Sequence, residues 1–265
     1  IKDALLGADL VFITAGMGKG TGTGASPIVA DIAREIGALT IGVVTKPFNF
    51  EGRRRAQIAE DGIALLKEKV DTLIVISNNR LLEITSAKTS LLDSFILADE
   101  ALRQGVQGIS DLLTLPGIIN VDFMDVAKIM RGAGNAWLGI GMGSGEKRAE
   151  IAAKNAITSP LLEMSLSGAK GIVTNISGNK NISLHEVEKA MQIINQTADT
   201  DVNSIFGVTI DEELGDQIKI VLIATSFQPK YAVDKQLYDL DKDLISSEDL
   251  KIPSFLRKKK KEEEE

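Results

Sequence analysis

A glycine-rich loop near the start of the sequence carries the clearest chemical signal. Residues 16–25 read GMGKGTGTGA and contain five glycines and two threonines. Glycines let the backbone approach a ligand closely and adopt positive φ, and consecutive N–H groups at the start of a helix bind anions. The hydroxyl groups of Thr21 and Thr23 add hydrogen-bond donors. The loop therefore predicts a phosphate-binding site in preference to a merely flexible turn.

The spacing inside this loop narrows the class of phosphate ligand. Walker A requires GxxxxGK[ST], but Lys19 is followed by Gly20, so that motif is absent. Residues 20–25 do match the dinucleotide motif GxGxxA, which also needs an acidic residue at the end of the next strand to bind the ribose. That strand ends at Lys46, without an acid. An enzyme that binds a nicotinamide dinucleotide therefore stays as the less favoured alternative.

The composition of the 265 residues excludes several other kinds of site. The chain has no cysteine, which rules out disulfides, thiolate metal sites and thiol catalysis. His185 is the single histidine, which argues against a catalytic triad or a histidine-rich metal site. The net charge of −7 argues against general binding to nucleic acid. No apolar run is long enough to span a bilayer, and we expect the protein in the cytoplasm.

The elements that must position the glycine loop follow a regular order. Apolar, β-rich runs at 10–14, 39–45 and 71–77 alternate with helical periodicity at 25–36 and 53–70. Strands and helices alternating at this spacing predict a parallel sheet with right-handed crossovers. Ligands of such sheets bind at the carboxyl ends of the strands, which is where the loop lies.

A long helix and a second set of elements follow. Residues 90–113 predict one buried helix, roughly 36 Å long at about 1.5 Å per residue, and Pro116-Gly117 ends it. After a short helix at 123–131, the sequence predicts four strands and two helices, an α+β arrangement. The strands are expected near 135–142, 169–177, 203–210 and 217–225, and the helices near 146–158 and 183–196.

Six segments of the chain form a recognisable set. They read GMGKGTGTGASP, TKPFNFEGRRR, SNNRLLEI, SLLDSF, RQGVQGISDLLTLPGIINVDFMDV and IPSFLRK. Together and in this order they resemble FtsZ, the bacterial cell-division GTPase related to tubulin. The resemblance runs from Ile1 to about Phe227, and the last segment matches the C-terminal peptide of FtsZ. The resemblance implies an α/β fold in which a Rossmann-like parallel-sheet GTPase domain is joined by a long central helix to a smaller α+β domain, with a disordered C-terminal tail.

The same resemblance implies five regions along the chain. They are a partial GTP-binding domain (1–89), the central helix (90–114), the catalytic loop with the next helix (115–133), the C-terminal domain (134–227), and a linker with a docking peptide (228–265). The sequence departs from FtsZ in two places. FtsZ proteins carry a further N-terminal part with additional nucleotide contacts, and they have glycine where this chain has Lys19, which we expect to contact the phosphates or project into solvent.

The resemblance implies that GTP or GDP is the ligand, with Mg²⁺ as the usual companion of a triphosphate. In this chain the glycine loop would bind the phosphates, Glu51 the ribose, and Arg55 the ribose and phosphates. Asn78 would complete a guanine pocket with two residues of the central helix. The full set of residues assigned to the nucleotide is Gly18, Gly20, Thr21, Gly22, Thr23, Glu51, Arg55, Asn78, Phe95 and Asp99.

Residue chemistry supports part of this assignment. Phe95 and Asp99 are four residues apart and share one face of the predicted helix. An aromatic ring can stack on a purine, and a carboxylate can accept both N1–H and the 2-amino group of guanine, which adenine does not offer together. Three arginines at 53–55 oppose the dipole of the helix that they begin unless they meet an anion, although a solvated basic face remains an alternative for Arg53 and Arg54.

Catalysis is assigned by the resemblance to Asn120, Asp122 and Asp125, in the sequence NVDFMD. The rest of the central helix separates this loop from Asp99 by roughly 21 Å at about 1.5 Å per residue. In FtsZ the loop acts on the nucleotide of the next subunit, so that hydrolysis requires head-to-tail filaments. Read without the resemblance, the residues favour Asp122 and Asp125 as capping residues at the N-terminus of the following helix.

The tail supplies the remaining expectations. Ile252–Arg257 resembles the FtsZ docking peptide, which binds division proteins that tether the filament to the membrane at the mid-cell division site. A segment that orders only on binding fits its composition. The alternative to a filament-forming GTPase is a non-hydrolysing fragment that caps or regulates filaments, and we expect no nucleic-acid partner.

Overall fold

Four ranges of the chain, residues 1–84, 89–162, 166–198 and 201–225, are described by the structure, which is a computed structural model. These residues all fall within one unit of the chain, Ile1–Phe227. The docking peptide predicted at Ile252–Arg257 lies outside the described residues.

An eight-stranded mixed sheet runs through the described residues, with its strands in the order β1-β2-β3-β5-β8-β6-β7-β4. The strands are β1 (Leu10–Gly16), β2 (Leu39–Lys46), β3 (Thr72–Ser77), β4 (Gly117–Ile119), β5 (Gly134–Gly143), β6 (Gly171–Gly178), β7 (Asn203–Ile210) and β8 (Ile218–Thr225). The helices are α1 (Lys2–Leu5), α2 (Thr21–Glu35), α3 (Arg53–Lys67), α4 (Asn78–Leu81), α5 (Leu91–Thr114), α6 (Phe123–Met130), α7 (Arg148–Ile157) and α8 (Leu184–Thr197). The α/β fold class predicted from the sequence is confirmed.

The first three strands form the parallel sheet that the sequence predicts. Gly16 of β1 lies opposite Thr45 of β2, and Lys46 of β2 lies opposite Ser77 of β3. Strand β2 is buried along almost its whole length, as expected of a central strand covered on both faces. Because the three strands are parallel and in register, their carboxyl ends meet at one edge of the sheet.

The second set of strands continues the same sheet. Strand β8 lies antiparallel between β5 and β6, and β6 pairs in parallel with β7. The two sets are joined where Thr72–Ile74 of β3 pairs in parallel with Gly134–Ala136 of β5. The sequence did not indicate this connection, since hydrophobic periodicity reports which faces are buried but not which strands are neighbours.

The long helix α5 lies across the sheet and contacts β2, β6, β7 and β8. Ser90 caps its first turn by accepting a hydrogen bond from the N–H of Asp93. Glycines allow the helix to lie close to the strands: a Cβ at Gly108 would come within 2.4 Å of Val221 Cγ1, and one at Gly105 within 3.1 Å of Leu138 Cδ2. The helix is therefore fixed against the sheet by close packing.

A buried arginine links helices α7 and α8 to the start of β8. Arg148 Nε donates to Glu186 Oε1 at 2.6 Å, and Arg148 Nη1 donates to Asp216 Oδ1 at 2.9 Å. Glu186 also accepts from the N–H of Ser183 as part of a capping box at the start of α8. Hydrogen bonding to the Arg148 guanidinium lowers the pKa of Glu186.

Two boundaries differ from the sequence prediction. Helix α2 begins at Thr21 rather than at 25, since the glycines and threonines of its first turn carry no apolar periodicity. Glycine is needed at position 22, where a Cβ would lie 3.0 Å from Ala15 Cβ. Strand β4, which pairs antiparallel with β7, was not predicted, since three residues are too few to show a periodicity. Among the helices of the described ranges, none combines the length and the apolar character needed to cross a membrane.

Candidate functional site

The glycine loop leaves the end of β1 and turns against the first turn of α3. The N–H of Met17 donates to the carbonyl of Thr45 at 3.0 Å, which continues the sheet by one residue. Gly18 adopts φ +99°, and a Cβ at this position would lie 2.7 Å from the carbonyl oxygen of Arg55. Both the positive φ and the close approach require glycine here. The glycine loop thus packs against Arg55, which the resemblance assigns to the ribose and phosphates.

Helix α2 begins with free N–H groups at this edge. Its N-cap is Gly20, and no side chain caps it. The first N–H groups of a helix have no partner within the helix, and they lie at the positive end of its dipole. Thr23 is half-buried, with its Oγ1 accepting from the N–H of Gly18 at 2.9 Å, whereas Thr21 is exposed. Such an N-terminus can bind a phosphate group.

Glu51 and Arg55 form an ion pair one helical turn apart. The Glu51 side chain is only 7% exposed, and its Oε1 also accepts from the N–H of Phe48 at 2.8 Å. The predicted ribose residue is therefore engaged within its own loop. Arg55 Nε is buried and has no hydrogen-bond partner among the described residues, so it can still donate to a ligand.

The base side of the predicted site begins where β3 ends. Asn78 is 5% exposed, and its Oδ1 is buried with no hydrogen-bond partner in the part of the chain that the structure describes. A buried acceptor left unpaired costs about 1–3 kcal/mol, which a ligand donor would remove. Phe95 is 38% exposed, and its ring packs edge-to-face against the buried ring of Phe48, with centroids 5.4 Å apart. Asp99 is exposed one turn further along α5.

The predicted catalytic residues lie at the other end of α5. Asn120 Oδ1 accepts from the N–H of Gly117 at 2.8 Å, and Asp122 caps α6 by accepting from the N–H of Met124 at 3.1 Å. Asp125 is exposed in the first turn of α6. The capping role left open for Asp122 is thus observed.

The structure therefore divides the predicted residues into two groups. The residues predicted to bind the nucleotide on the glycine loop, together with Glu51, Arg55 and Asn78, lie at the carboxyl edge of β1, β2 and β3. Phe95 joins them through its contact with Phe48, and Asp99 follows one turn later on α5. Asn120, Asp122 and Asp125 come after the other end of α5. From Phe95 to Thr114, the helix between the groups extends about 28 Å at about 1.5 Å per residue.

Sequence reasoning missed residues that support the predicted site at the carboxyl edge of β1, β2 and β3. Asn79 Oδ1 accepts from the N–H of Asn49 at 3.0 Å, and Asn79 Nδ2 donates to Asn49 Oδ1 at 2.9 Å. Phe50 stacks on Phe48, with ring centroids 5.0 Å apart. The two phenylalanines in PFNFEG were a usable signal, because aromatic residues close to a ligand loop need partners.

Both parts of the chain match known proteins. A Tubulin/FtsZ family GTPase-domain model matches residues 1–86, and an FtsZ family C-terminal-domain model matches residues 134–228. An empty FtsZ dimer from M. jannaschii is 42% identical, with a TM-score of 0.83 over 86% of this chain and 66% of that one. A point mutant of FtsZ from M. jannaschii gives the same identity and TM-score, over 86% and 68%.

A more distant structure shows the fold alone. CetZ from Methanosaeta thermophila is 18% identical, with a TM-score of 0.68 over 97% of this chain and 74% of that one. The chain spans about two thirds of the length of the two FtsZ structures.

Proposed function

Because this chain belongs to the FtsZ family of tubulin-like GTPases, we propose that it binds GTP at the carboxyl edge of β1, β2 and β3 and hydrolyses it between two copies joined head to tail. Each copy would supply a nucleotide at one end of α5 and the residues that act on a neighbour's nucleotide at the other end.

The observation that carries this proposal is the set of unsatisfied polar groups along one edge. Within the described ranges, Arg55 Nε is a buried donor and Asn78 Oδ1 a buried acceptor, and neither has a hydrogen-bond partner there. The phosphates or ribose of a nucleotide offer acceptors to the first, and its nucleoside offers donors to the second. The uncapped start of α2, with Thr21 and Thr23, would take the phosphate oxygens.

Base selection is proposed to come from α5. Phe95 would stack on the purine with the part of its ring that remains exposed. Asp99, on the same face, would accept N1–H and the 2-amino group of guanine. Stacking of a base on an aromatic ring contributes about 1–3 kcal/mol, and the paired acceptor distinguishes guanine from adenine.

Hydrolysis is proposed to use the loop of the adjacent copy. Asp122 and Asp125 would polarise the attacking water and Asn120 would help to position it, because phosphoryl transfer depends mainly on position and electrostatics. The length of α5 supports a site completed in trans, since the helix extends about 28 Å from Phe95 to Thr114 at about 1.5 Å per residue, and these residues follow its end in the chain.

Mg²⁺ is proposed to accompany the triphosphate. Among the described residues there is no group of three acidic or histidine side chains that could hold a metal. Mg²⁺ often keeps most of its ligands as water and substrate phosphates, so the nucleotide would supply most of its coordination. The hydroxyl groups of Thr21 and Thr23, at the uncapped start of α2, would be the protein oxygens available to it in the proposed phosphate site.

At a larger scale, head-to-tail contacts that do not close by rotation generate filaments. We propose that these filaments form the division ring at mid-cell in the cytoplasm. The tail peptide Ile252–Arg257 would bind the division proteins that tether the filament to the membrane.

The test is GTP hydrolysis by the 265-residue chain over a range of protein concentrations. A site completed between copies predicts turnover per copy that is negligible when dilute and rises steeply above a threshold. Turnover per copy that is independent of concentration would contradict completion in trans. GTP binding with no turnover at any concentration would instead favour the non-hydrolysing, filament-capping alternative.

A mixing experiment separates the two halves of the site. Gly18→Ala is expected to lose nucleotide binding, because its Cβ would meet the Arg55 carbonyl, and Asp125→Asn is expected to lose only catalysis. Mixed one to one, the two inactive variants should regain about a quarter of the activity of the unchanged chain, since random head-to-tail pairing completes that share of the contacts. No recovery at any concentration would argue that both groups act within one copy.

A further inference from the structure

We propose that Phe48 is a positioning residue: its buried ring holds Phe95 in the orientation in which Phe95 stacks on guanine. This inference rests on the proposed function, since it takes Phe95 to contact the base. It adds a residue that would not touch the nucleotide and would nevertheless control how tightly the base is bound.

The contact between the two rings is specific in its geometry. Their centroids are 5.4 Å apart and their planes are inclined by 88°, which is the edge-to-face arrangement that aromatic pairs favour. Phe48 is 1% exposed, whereas Phe95 is 38% exposed. One ring is thus enclosed by the protein, and the other keeps part of its surface open for a ligand.

Among the described residues, Phe48 is the one aromatic ring in contact with Phe95. The neighbouring apolar residues on the first turns of α5, namely Leu91, Leu92 and Ile96, are all exposed. The only ring contact of Phe95 in the described structure is with Phe48. In the proposal, this ring contact sets the orientation of Phe95.

Phe48 itself is fixed by the loop that carries it. Its N–H donates to Glu51 Oε1 at 2.8 Å, and the Glu51 carboxylate is paired with Arg55. Phe50 stacks nearly parallel to it, at an angle of 14°. The hydrogen bonds between Asn49 and Asn79 tie the same loop to α4, beside Asn78.

The segment from Phe48 to Arg55 thus reaches both ends of the proposed nucleotide site. At one end the Arg55 backbone supports Gly18 of the phosphate loop, and at the other Phe48 supports Phe95. Removing the Phe48 ring should disturb the base end while leaving the phosphate end in place. That separation distinguishes positioning from general damage to the fold.

The experiment measures dissociation constants of the 265-residue chain for GDP and for pyrophosphate, which carries no base. Phe48→Leu should weaken GDP binding about fivefold, in line with the strength of an edge-to-face aromatic pair, and leave pyrophosphate binding unchanged. Phe95→Leu should weaken GDP binding about tenfold, as expected for a lost base stack. The double variant should bind GDP no more weakly than Phe95→Leu alone, because Phe48 acts through Phe95.

Two controls accompany these variants. Phe50, whose ring stacks on Phe48, is 60% exposed. Phe50→Leu should therefore weaken GDP binding less than Phe48→Leu does. Phe206→Leu replaces a half-buried ring in β7, away from the proposed nucleotide site. It should lower the melting temperature without changing GDP binding. Circular dichroism of every variant verifies that it is folded.

The outcomes separate the inference from the function on which it rests. Failure of the unchanged chain to bind GDP would overturn both. If the unchanged chain binds GDP, then unaltered GDP binding by folded Phe48→Leu would overturn the inference alone. Equal weakening of GDP and pyrophosphate binding, or multiplied losses in the double variant, would also overturn it.

Discussion

Thr23 packs directly against the backbone of Gly62. A Cβ at position 62 would come within 2.2 Å of Thr23 Cγ2 and within 3.0 Å of Met17 Cε. Thr23 Oγ1 also accepts a hydrogen bond from the N–H of Gly18 at 2.9 Å, so this side chain is held between α3 and the glycine loop. Helix α3 therefore sets the position of the first turn of α2.

We predict that Gly62→Ala weakens guanine-nucleotide binding about tenfold or more. The added methyl group must displace Thr23, and overpacking of this kind costs about 1–3 kcal/mol. Displacement of Thr23 also removes the acceptor of the Gly18 N–H. Titration calorimetry with GDP measures the loss, and urea unfolding measures the accompanying drop in the free energy of unfolding.

Gly24→Ala is the matched control for that substitution. Gly24 is also a helical glycine, but a Cβ there would meet nothing within 4 Å. Alanine should therefore raise the free energy of unfolding by about 0.5–1 kcal/mol through helix propensity alone. If both substitutions change stability in the same direction, close packing at Gly62 is not the cause.

Lys19 is predicted to contribute to binding of the triphosphate. It is exposed in the glycine loop just before α2, and it makes no ion pair among the described residues. Lys19→Gln should weaken GTP binding about threefold at low salt, the size expected for an exposed charge pair of about 0.6 kcal/mol. The difference should nearly vanish at about 1 M salt, where the Debye length is about 3 Å.

Lys147→Gln is the control, because Lys147 is an exposed lysine beside α7, away from the glycine loop. Its substitution should leave GTP binding unchanged at every salt concentration. Tighter GTP binding by Lys19→Gly than by the unchanged chain would show that the lysine instead weakens GTP binding.

The Arg148–Glu186 pair predicts a dependence of stability on pH. Because Arg148 lowers the pKa of Glu186 below its ordinary value of 4.5, the folded state favours the ionised carboxylate. This stabilisation is complete above about pH 4.5 and is lost as the pH falls through the lowered pKa of the folded state. Glu186→Gln should reduce the free energy of unfolding by about 1.5 kcal/mol at pH 7, and by progressively less as the pH drops below that range.

Glu188→Gln tests the specificity of that effect. Glu188 is on the same helix, but its side chain is 73% exposed and lies 3.6 Å from the exposed His185. Its substitution should change stability by less than about 0.5 kcal/mol at pH 7. Urea unfolding at pH 7 and pH 4 compares the two variants, and an equal response would contradict the special role of Arg148.

Gly108→Ala is predicted to destabilise the contact between α5 and the sheet by about 2 kcal/mol, since its Cβ would lie 2.4 Å from Val221 Cγ1. Val221→Ala should also be destabilising on its own, because it leaves a cavity. The double variant should recover part of the loss, because the new methyl group occupies the vacated space. Strictly additive losses would show that the two residues do not share this contact.

Much of the fold could be predicted from the sequence because its elements are long and strongly periodic. The prediction of a helix at 90–113 agrees with α5 at Leu91–Thr114, since apolar residues mark one face and Pro116 follows its end. The pairing of β3 with β5 could not be predicted, because two apolar strands separated by a long helix carry no local sign of being neighbours.

The sequence indicated the residue types of the candidate site more readily than the contacts between them. The composition of the glycine loop singled out Gly18, whereas the periodicity placed the start of α2 at 25 and missed its first turn from Thr21. The Glu51 carboxylate accepts a hydrogen bond from the N–H of Phe48 and pairs with Arg55. These contacts depend on the conformation of a short turn, which residue spacing does not define. The closeness of Gly62 to Thr23 is equally hidden, because it arises where two helices cross.

The predicted nucleotide residues lie near the start of α5, and the predicted catalytic residues follow its end. A head-to-tail row of copies of this chain would therefore have two different ends. In the proposed filament, each complete site needs one junction, so a row always holds one complete site fewer than it holds copies. The last copy at one end keeps a nucleotide that no loop covers, and the last copy at the other end presents Asp122 and Asp125 to open solvent. Short rows would therefore turn over disproportionately little GTP, and the two tips would differ chemically even though every copy is identical.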